Sequence, residues 1–334
     1  MRVESRVFTQ TLLSFPRTTT FSSPLTTAAE GGEGEGTAPL ALALTPDGSK
    51  LYVVNFSSHN VSVITTATLQ VTAIPVGLNP KAIVITPNGQ RAYVANSAPG
   101  EDSVSAIDTT TDTVLDTLPV SRPDPSVLAL SPEGTVLYVL GEKSRFVGVV
   151  DTATNQLGRL EAGQDPVAIA FSPDGIRAYI VNNGANTVSI FNTTAFPPTK
   201  IDDVEVGEAP RSAVVSPDGA KVYVTNFLDN TLSVLHTTQK PVQVQVISFD
   251  QWQGPWNILL DPKSIGTSEP KALVINRTSN DQTLLLLPRP KGTKALWVRI
   301  SQRAYPWITF LSSFPLTATS NGSLSSHHHG CTAP

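Results

Sequence analysis

From Pro39 to Asp250 the chain alternates short apolar, β-branched runs with clusters of turn residues, and this alternation returns in blocks. The block Pro210–Gln239 reads PRSAVVSPDGAKVYVTNFLDNTLSVLHTTQ. Ala213–Ser216 is apolar. Pro217-Asp218-Gly219 is a turn, because Pro presets φ, Asp bonds back to the backbone and Gly accepts a positive φ. Lys221–Thr225 alternates apolar and polar positions, Asn226–Asn230 turns, and Thr231–Leu235 alternates again. Strands of this length at hairpin spacing predict a small antiparallel sheet.

The block is one copy of an internal repeat. A Pro stands seven residues before another in six places: Pro39/Pro46, Pro80/Pro87, Pro125/Pro132, Pro166/Pro173, Pro210/Pro217 and Pro255/Pro262, at successive spacings of 41, 45, 41, 44 and 45 residues. The second Pro is followed by Asp47-Gly48, Asn88-Gly89, Glu133-Gly134, Asp174-Gly175 or Asp218-Gly219, and by Lys263-Ser264 in the sixth copy. A Tyr-Val-x-Asn strand follows at Tyr52–Asn55, Tyr93–Asn96 and Tyr223–Asn226, with Tyr179–Asn182 close to it and Tyr138–Gly141 degraded. Val61–Ile64, Val104–Ile107, Val188–Ile190 and Leu232–Leu235 mark a third strand. Ile74–Gly77 and Val204–Gly207 close the unit. Four strands in about 40–45 residues is the pattern of a β-propeller blade. A lone blade leaves two apolar faces exposed; a ring of blades buries them and protects the edges. That explains runs such as Ala41–Leu44, Ile83–Ile85 and Ala168–Phe171, which are apolar on both faces.

The combination of YVTN, SPDG and IPVG-type motifs with the initial Pro resembles the YVTN-repeat β-propeller family, well over residues 39–250 and weakly over 255–310. More distantly it is similar to lactonase-type seven-bladed propellers. The resemblance implies an all-β, seven-bladed propeller of the kind found in surface-layer and exported proteins, hence an extracellular, cell-surface or periplasmic location. The sixth copy is degenerate, and Pro306–Leu311 echoes Pro255–Leu260. Residues 306–313 are therefore expected to give the inner strand of a last blade whose outer strands come from the N-terminal segment; six blades is the alternative. The expected organisation is an N-terminal segment, 1–36, ending in the Gly/Glu linker Gly31–Gly36, a propeller over 37–316 and a disordered tail over 317–334.

Composition narrows the function classes. Charged residues are 15% of the chain and the net charge is −4, so no basic stripe exists to neutralise phosphates and nucleic acid is not an expected partner. No run reaches the length of a membrane span, and Thr11–Phe15 is too short for a signal-peptide core. The single Cys331 excludes a disulfide framework. No nucleophile elbow, phosphate loop, Cys-x-x-Cys or closed zinc spacing is present, so no cofactor and no metal are expected. His327–His329 reads as a solvated tail cluster.

Chemistry, where there is any, belongs to the loops on one face around the channel, with the Pro-Asp-Gly turns on the other face. These loops offer His59, Lys81, Asp102, Asp165, Arg211 and Asp229 as candidate binding residues, with Lys143, Arg145, Asp124 and Glu208 nearby. The charge is mixed and implies no single ligand sign. Asn55, Asn96, Asn182, Asn226 and Asn276 read as turn-closing residues that tolerate a left-handed backbone. The blades remain alike and His is scarce, which favours a monomeric, non-catalytic binding or interaction scaffold with a protein or glycan partner and no catalytic residue. The alternative is a lactonase-type hydrolase acting at the channel mouth.

Overall fold

In the computed structural model, residues 36–98, 100, 102–120, 124–141, 143–248, 254–260, 271–276, 281–286 and 297–301 are described. They form six four-stranded antiparallel sheets, each following the chain in simple meander order. The first blade comprises β1 Pro39–Leu44, β2 Lys50–Asn55, β3 Asn60–Thr65 and β4 Val71–Pro75. The second holds β5 Pro80–Ile85, β6 Arg91–Asn96, β7 Ser103–Asp108 and β8 Thr113–Pro119. The third holds β9 Pro125–Leu130, β10 Val136–Gly141, β11 Phe146–Asp151 and β12 Leu157–Glu161. The fourth runs β13 Pro166–Phe171, β14 Arg177–Asn182, β15 Thr187–Asn192, β16 Thr199–Glu205; the fifth β17 Pro210–Val215, β18 Lys221–Asn226, β19 Thr231–His236, β20 Gln243–Ser248. The sixth is β21 Pro255–Leu260, β22 Lys271–Asn276, β23 Asp281–Leu286 and β24 Trp297–Ser301. The first strands β1, β5, β9, β13, β17 and β21 pack side by side, so successive blades turn about one axis as a propeller. The expected seventh blade, its closing strands and the C-terminal tail lie outside the described residues.

The repeated residues have repeated jobs. The core lies between blades. Tyr52, Tyr93, Tyr138 and Tyr179 from the second strands are fully buried there, among Val, Ile and Leu side chains of the two facing sheets. Burying such rings supplies much of the apolar area that one blade alone would leave wet. The turn glycines Gly48, Gly89, Gly134, Gly175 and Gly219 all have φ between 68° and 73°, as the Pro-Asp-Gly spacing predicts. The space is also restricted: a Cβ on Gly134 would stand 2.5 Å from Cδ of Pro87 in the previous blade's turn. On this turn face Lys50 donates to the Thr109 carbonyl at 2.7 Å and pairs with Asp112 at 2.8 Å, while the Tyr52 hydroxyl donates to Asp112 at 2.6 Å. Those contacts run from blade one to blade two. Arg177 reaches the Thr237 carbonyl at 3.2 Å in the same way at the junction of blades four and five.

The asparagines of the second strands behave differently from the turn-closing role expected of them. Asn55, Asn96, Asn182 and Asn226 are strand residues with negative φ and are almost wholly buried. Each points its amide across the hairpin: Asn182 Nδ2 donates to Thr187 at 3.0 Å and Ser189 at 2.8 Å, and Asn226 Nδ2 to Thr231 and Ser233, both at 2.9 Å. The loop glycine at the end of the previous unit lies directly against each amide. A Cβ on Gly77 would stand 2.6 Å from Asn96 Cγ, on Gly163 2.7 Å from Asn182 Cγ, and on Gly207 2.7 Å from Asn226 Cγ. A strand-end amide bonded across its own hairpin, rather than a turn, thus packs against the loop between blades. The role is structural, as expected, by another mechanism.

Candidate loop-face site

The loop face is organised by one backbone feature. The residue before each blade's first Pro is left-handed: Ala38, Asn79, Asp124, Asp165, Ala209 and Gly254 have φ between 50° and 67°. A non-Gly residue there is strained and needs support. Two sets of hydrogen bonds supply it. Within a blade, its carbonyl accepts from the backbone just after the second strand: Ser97 N to Asn79 O is 3.1 Å, Asn183 N to Asp165 O is 2.8 Å and Phe227 N to Ala209 O is 3.0 Å. Between blades, its N–H donates to a residue just before the previous blade's third strand. Asn79 donates to His59 Nδ1 at 3.1 Å, Asp124 to Asp102 Oδ2 at 3.0 Å, Ala209 to Asn186 Oδ1 at 2.9 Å and Gly254 to Asn230 Oδ1 at 2.7 Å. At the remaining junction Asp165 N donates to the Ser144 carbonyl at 2.8 Å.

His59 and Asp102 therefore occupy the repeat position of Asn186 and Asn230, and each fastens its blade to the next. Asp229 does a related job, accepting from the Glu208 amide at 2.7 Å. Asp165 sits at the junction of blades three and four, with Oδ1 buried and without a hydrogen-bond partner among the described residues. Arg211 lies near the start of β17, its guanidinium 4.5 Å from the Trp256 ring centroid and 5.8 Å from that of Phe227. The two rings meet edge-on at 5.5 Å.

Of the six candidates, Lys81 and Asp102 come together, through a residue not among the six. Asp124 accepts from Lys81 Nζ and from the Ser97 hydroxyl, and its own N–H is capped by Asp102. Burial alone would raise the Asp124 carboxyl, but the hydrogen bonds from Lys81 and Ser97 outweigh it and hold it below the ordinary value. For Asp102 burial dominates and, helped by the nearby Asp124 charge, moves the carboxyl upward. One carboxyl pushed up beside another pushed down and paired with a lysine is an arrangement able to move a proton. His59, Asp165, Arg211 and Asp229 each serve a different junction. Among the described residues no three of His, Cys, Asp and Glu converge as a metal site would require. Sequence reading missed Asn79 and Ser97. The pre-proline position, filled by Ala, Asn, Asp, Asp, Ala and Gly in turn, was the available signal.

No family model matches the chain. The seven-bladed β-propeller protein Rv1057 of Mycobacterium tuberculosis is 33% identical over 120 residues, which are 35% of this chain and 30% of that relative. The aligned part is thus less than a third of the relative's length. Among solved structures, hydrazine synthase of Kuenenia stuttgartiensis superposes with a TM-score of 0.59 at 22% identity, covering 78% of this chain and 79% of that one. The periplasmic gluconolactonase PpgL of Pseudomonas aeruginosa gives 0.58 at 18% identity over 78% and 85%. A putative 6-phosphogluconolactonase of Bacteroides uniformis gives 0.58 at 17% identity over the same shares. These likenesses carry the propeller fold.

Proposed function

We propose that this propeller is a non-catalytic binding scaffold of the exported or cell-surface type, presenting its loop face to a protein or glycan. The observation carrying this reading is how the loop-face groups are used. His59, Asp102 and Asp229 each hold a backbone N–H, two of them across a blade junction. A catalytic group needs its reactive atom turned toward substrate; His59 Nδ1 and Asp102 Oδ2 are instead engaged in fastening two blades. The stacked group Arg211, Trp256 and Phe227 offers the loop face an aromatic and cationic platform. Such a surface suits a sugar ring or a peptide side chain. The motif resemblance and the periplasmic gluconolactonase among the structural neighbours support an exported location.

A second reading, a lactonase-type hydrolase, is favoured by the Lys81–Asp124–Asp102 cluster and by the lactonases among the neighbours. One assay separates the two. The hydrolysis of glucono-δ-lactone is followed by proton release, with and without protein. The scaffold reading expects the spontaneous rate. Acceleration that disappears in Asp102→Asn, with the fold kept, replaces it by the hydrolase. Titration with soluble oligosaccharides and peptides should perturb tryptophan fluorescence in the wild type and much less in Arg211→Ala.

A further inference from the structure

Blade three departs from its neighbours at three positions at once. In blade two the amide of Asn96 bonds Ser103 at 3.1 Å and Ser105 at 2.9 Å. The same repeat positions in blade three are Gly141, Phe146 and Gly148. The junction glycine that elsewhere accommodates the asparagine is Ser121 in the sequence. The whole polar group has therefore been exchanged together, and a cavity of about 360 Å³ lies where it would have been. That volume is within the range of small-molecule sites, roughly 300–1,000 Å³.

The register shows which side of the blade is open. Leu128, Val139, Gly148 and Arg159 are direct cross-strand partners and so share one face of the sheet. Leu128 and Val139 on that face pack against the buried side chains of blade two. The cavity is accordingly in the wedge between blades two and three, walled by Pro119, Val120, Pro125, Val139 and Leu157. Gly148 helps to make it: a Cβ there would touch nothing closer than Val139 Cβ at 3.5 Å, an ordinary contact. At the rim Arg159 lies with its guanidinium carbon 4.3 Å above the centre of the Phe146 ring. A guanidinium stacked on a ring keeps its in-plane N–H groups available for a planar anion. No carboxylate pairs with Arg159 among the described residues, although Glu161 stands two residues along the same face of β12.

We infer that this wedge, which opens at the loop-face end of the junction of blades two and three, is a binding site for a small organic monocarboxylate whose apolar body enters the cavity and whose carboxylate is gripped by Arg159. Among the described residues that line the cavity Arg159 is the one cation, and it balances one negative charge. A phosphate dianion would keep an unpaired charge beside hydrocarbon, which is costly.

The test uses the full chain, with benzoate and hexanoate as probes and isothermal titration or ligand-observed NMR as readout. Both carboxylates should bind at millimolar concentration or better, benzamide should bind about tenfold more weakly, and inorganic phosphate should not compete. Arg159→Gln, a surface change, should weaken benzoate binding by about tenfold. Glu161→Gln should tighten it. Gly148→Leu projects an isobutyl group into the cavity and should weaken benzoate binding strongly; Gly148→Ser, which restores the neighbours' residue, serves as a milder blocker, with folding of both checked by melting. The inference is overturned if neither carboxylate binds at about 10 mM, if benzamide binds as well as benzoate, or if folded Gly148→Ser and Gly148→Leu bind undiminished.

Discussion

The close approach of each junction glycine to the next blade's asparagine predicts a coupled pair, and Gly163 with Asn182 is the clearest case. A methyl on Gly163 would place its carbon 2.7 Å from Asn182 Cγ. Ordinary carbon contact begins near 3.5 Å, so the overlap is about 0.8 Å. Asn182 is fully buried and held by Thr187 and Ser189, so it cannot simply swing away. Gly163→Ala should therefore destabilise by about 1–3 kcal/mol through overpacking. Asn182→Gly removes two neutral hydrogen bonds, at about 1 kcal/mol each, and loosens a strand by a further 0.5–1 kcal/mol or so. The double variant resembles blade three, where both residues have changed. With Asn182 absent the new methyl has room, so the double variant should be more stable than the sum of the two losses predicts, by about 1–2 kcal/mol. Equilibrium urea denaturation of the four proteins, followed by fluorescence, measures this directly. Losses that add to within about 0.5 kcal/mol would refute the proposed contact between the glycine and the asparagine.

Other consequences follow from the same junctions. His59→Ala leaves the left-handed Asn79 N–H without its acceptor and should cost about 1–3 kcal/mol, whereas His59→Asn, the residue found at 186 and 230, should recover most of it in thermal melts. Gly175→Val and Gly219→Val, at φ 70° and 68°, should each destabilise by about 1 kcal/mol or more, and an unchanged melting temperature would contradict the left-handed turn. Acid should weaken the fold in a defined window. The Asp47 carboxyl is held at about 2 by hydrogen bonds from the Thr45 hydroxyl and from Ser49, and Asp151 and Asp218 are also held low by hydrogen bonds from their own turns. A carboxyl depressed in the folded state adds stability above its unfolded value near 4, and this is lost as pH falls toward 2. Asp102, shifted the other way, opposes this loss only in part. Denaturant midpoints that stay level between pH 4 and 2 would show that these turns contribute nothing.

Much of the architecture was legible because each element carries a local signal. The Pro-Asp-Gly turns, the alternating strands and the repeat of 41 to 45 residues are short-range patterns, and they return as antiparallel four-stranded blades. The loop face was legible as a place but not as a set of partners. His59, Lys81, Asp102, Asp165, Arg211 and Asp229 all fall in its loops or at the adjoining strand starts, yet which of them meet depends on contacts between blades about forty residues apart. Lys81 finds Asp124 across such an interval, and nothing in the local sequence of either announces the other. The asparagines were misjudged in mechanism for the same reason. Seen beside a turn, Asn suggests a bond to its own backbone; Asn96 instead reaches Ser103 and Ser105 on the neighbouring strand.

Blade three shows how a repeat exposes a coordinated change that a single copy hides. Tyr138-Val139-Leu140-Gly141 looks like simple decay of the Tyr-Val-x-Asn motif when read alone. Random loss of the asparagine would leave two serine or threonine hydroxyls buried without their partner, at about 1–3 kcal/mol for an unsatisfied group. In blade three the hydroxyl positions have changed as well, to Phe146 and Gly148. The blade has thereby removed the polar groups that would have gone unsatisfied, and gained an aromatic ring that supports Arg159. A change that removes the asparagine and both of its hydroxyl partners together differs physically from piecemeal decay, which would leave buried hydroxyls without that partner. Refilling supplies the stability test. If the wedge is merely a packing defect, Gly148→Ser should raise the melting temperature and leave every other property unchanged. If it is kept open for a ligand, a bound carboxylate should raise the melting temperature of the wild type in proportion to its concentration and leave that of Gly148→Leu where it was.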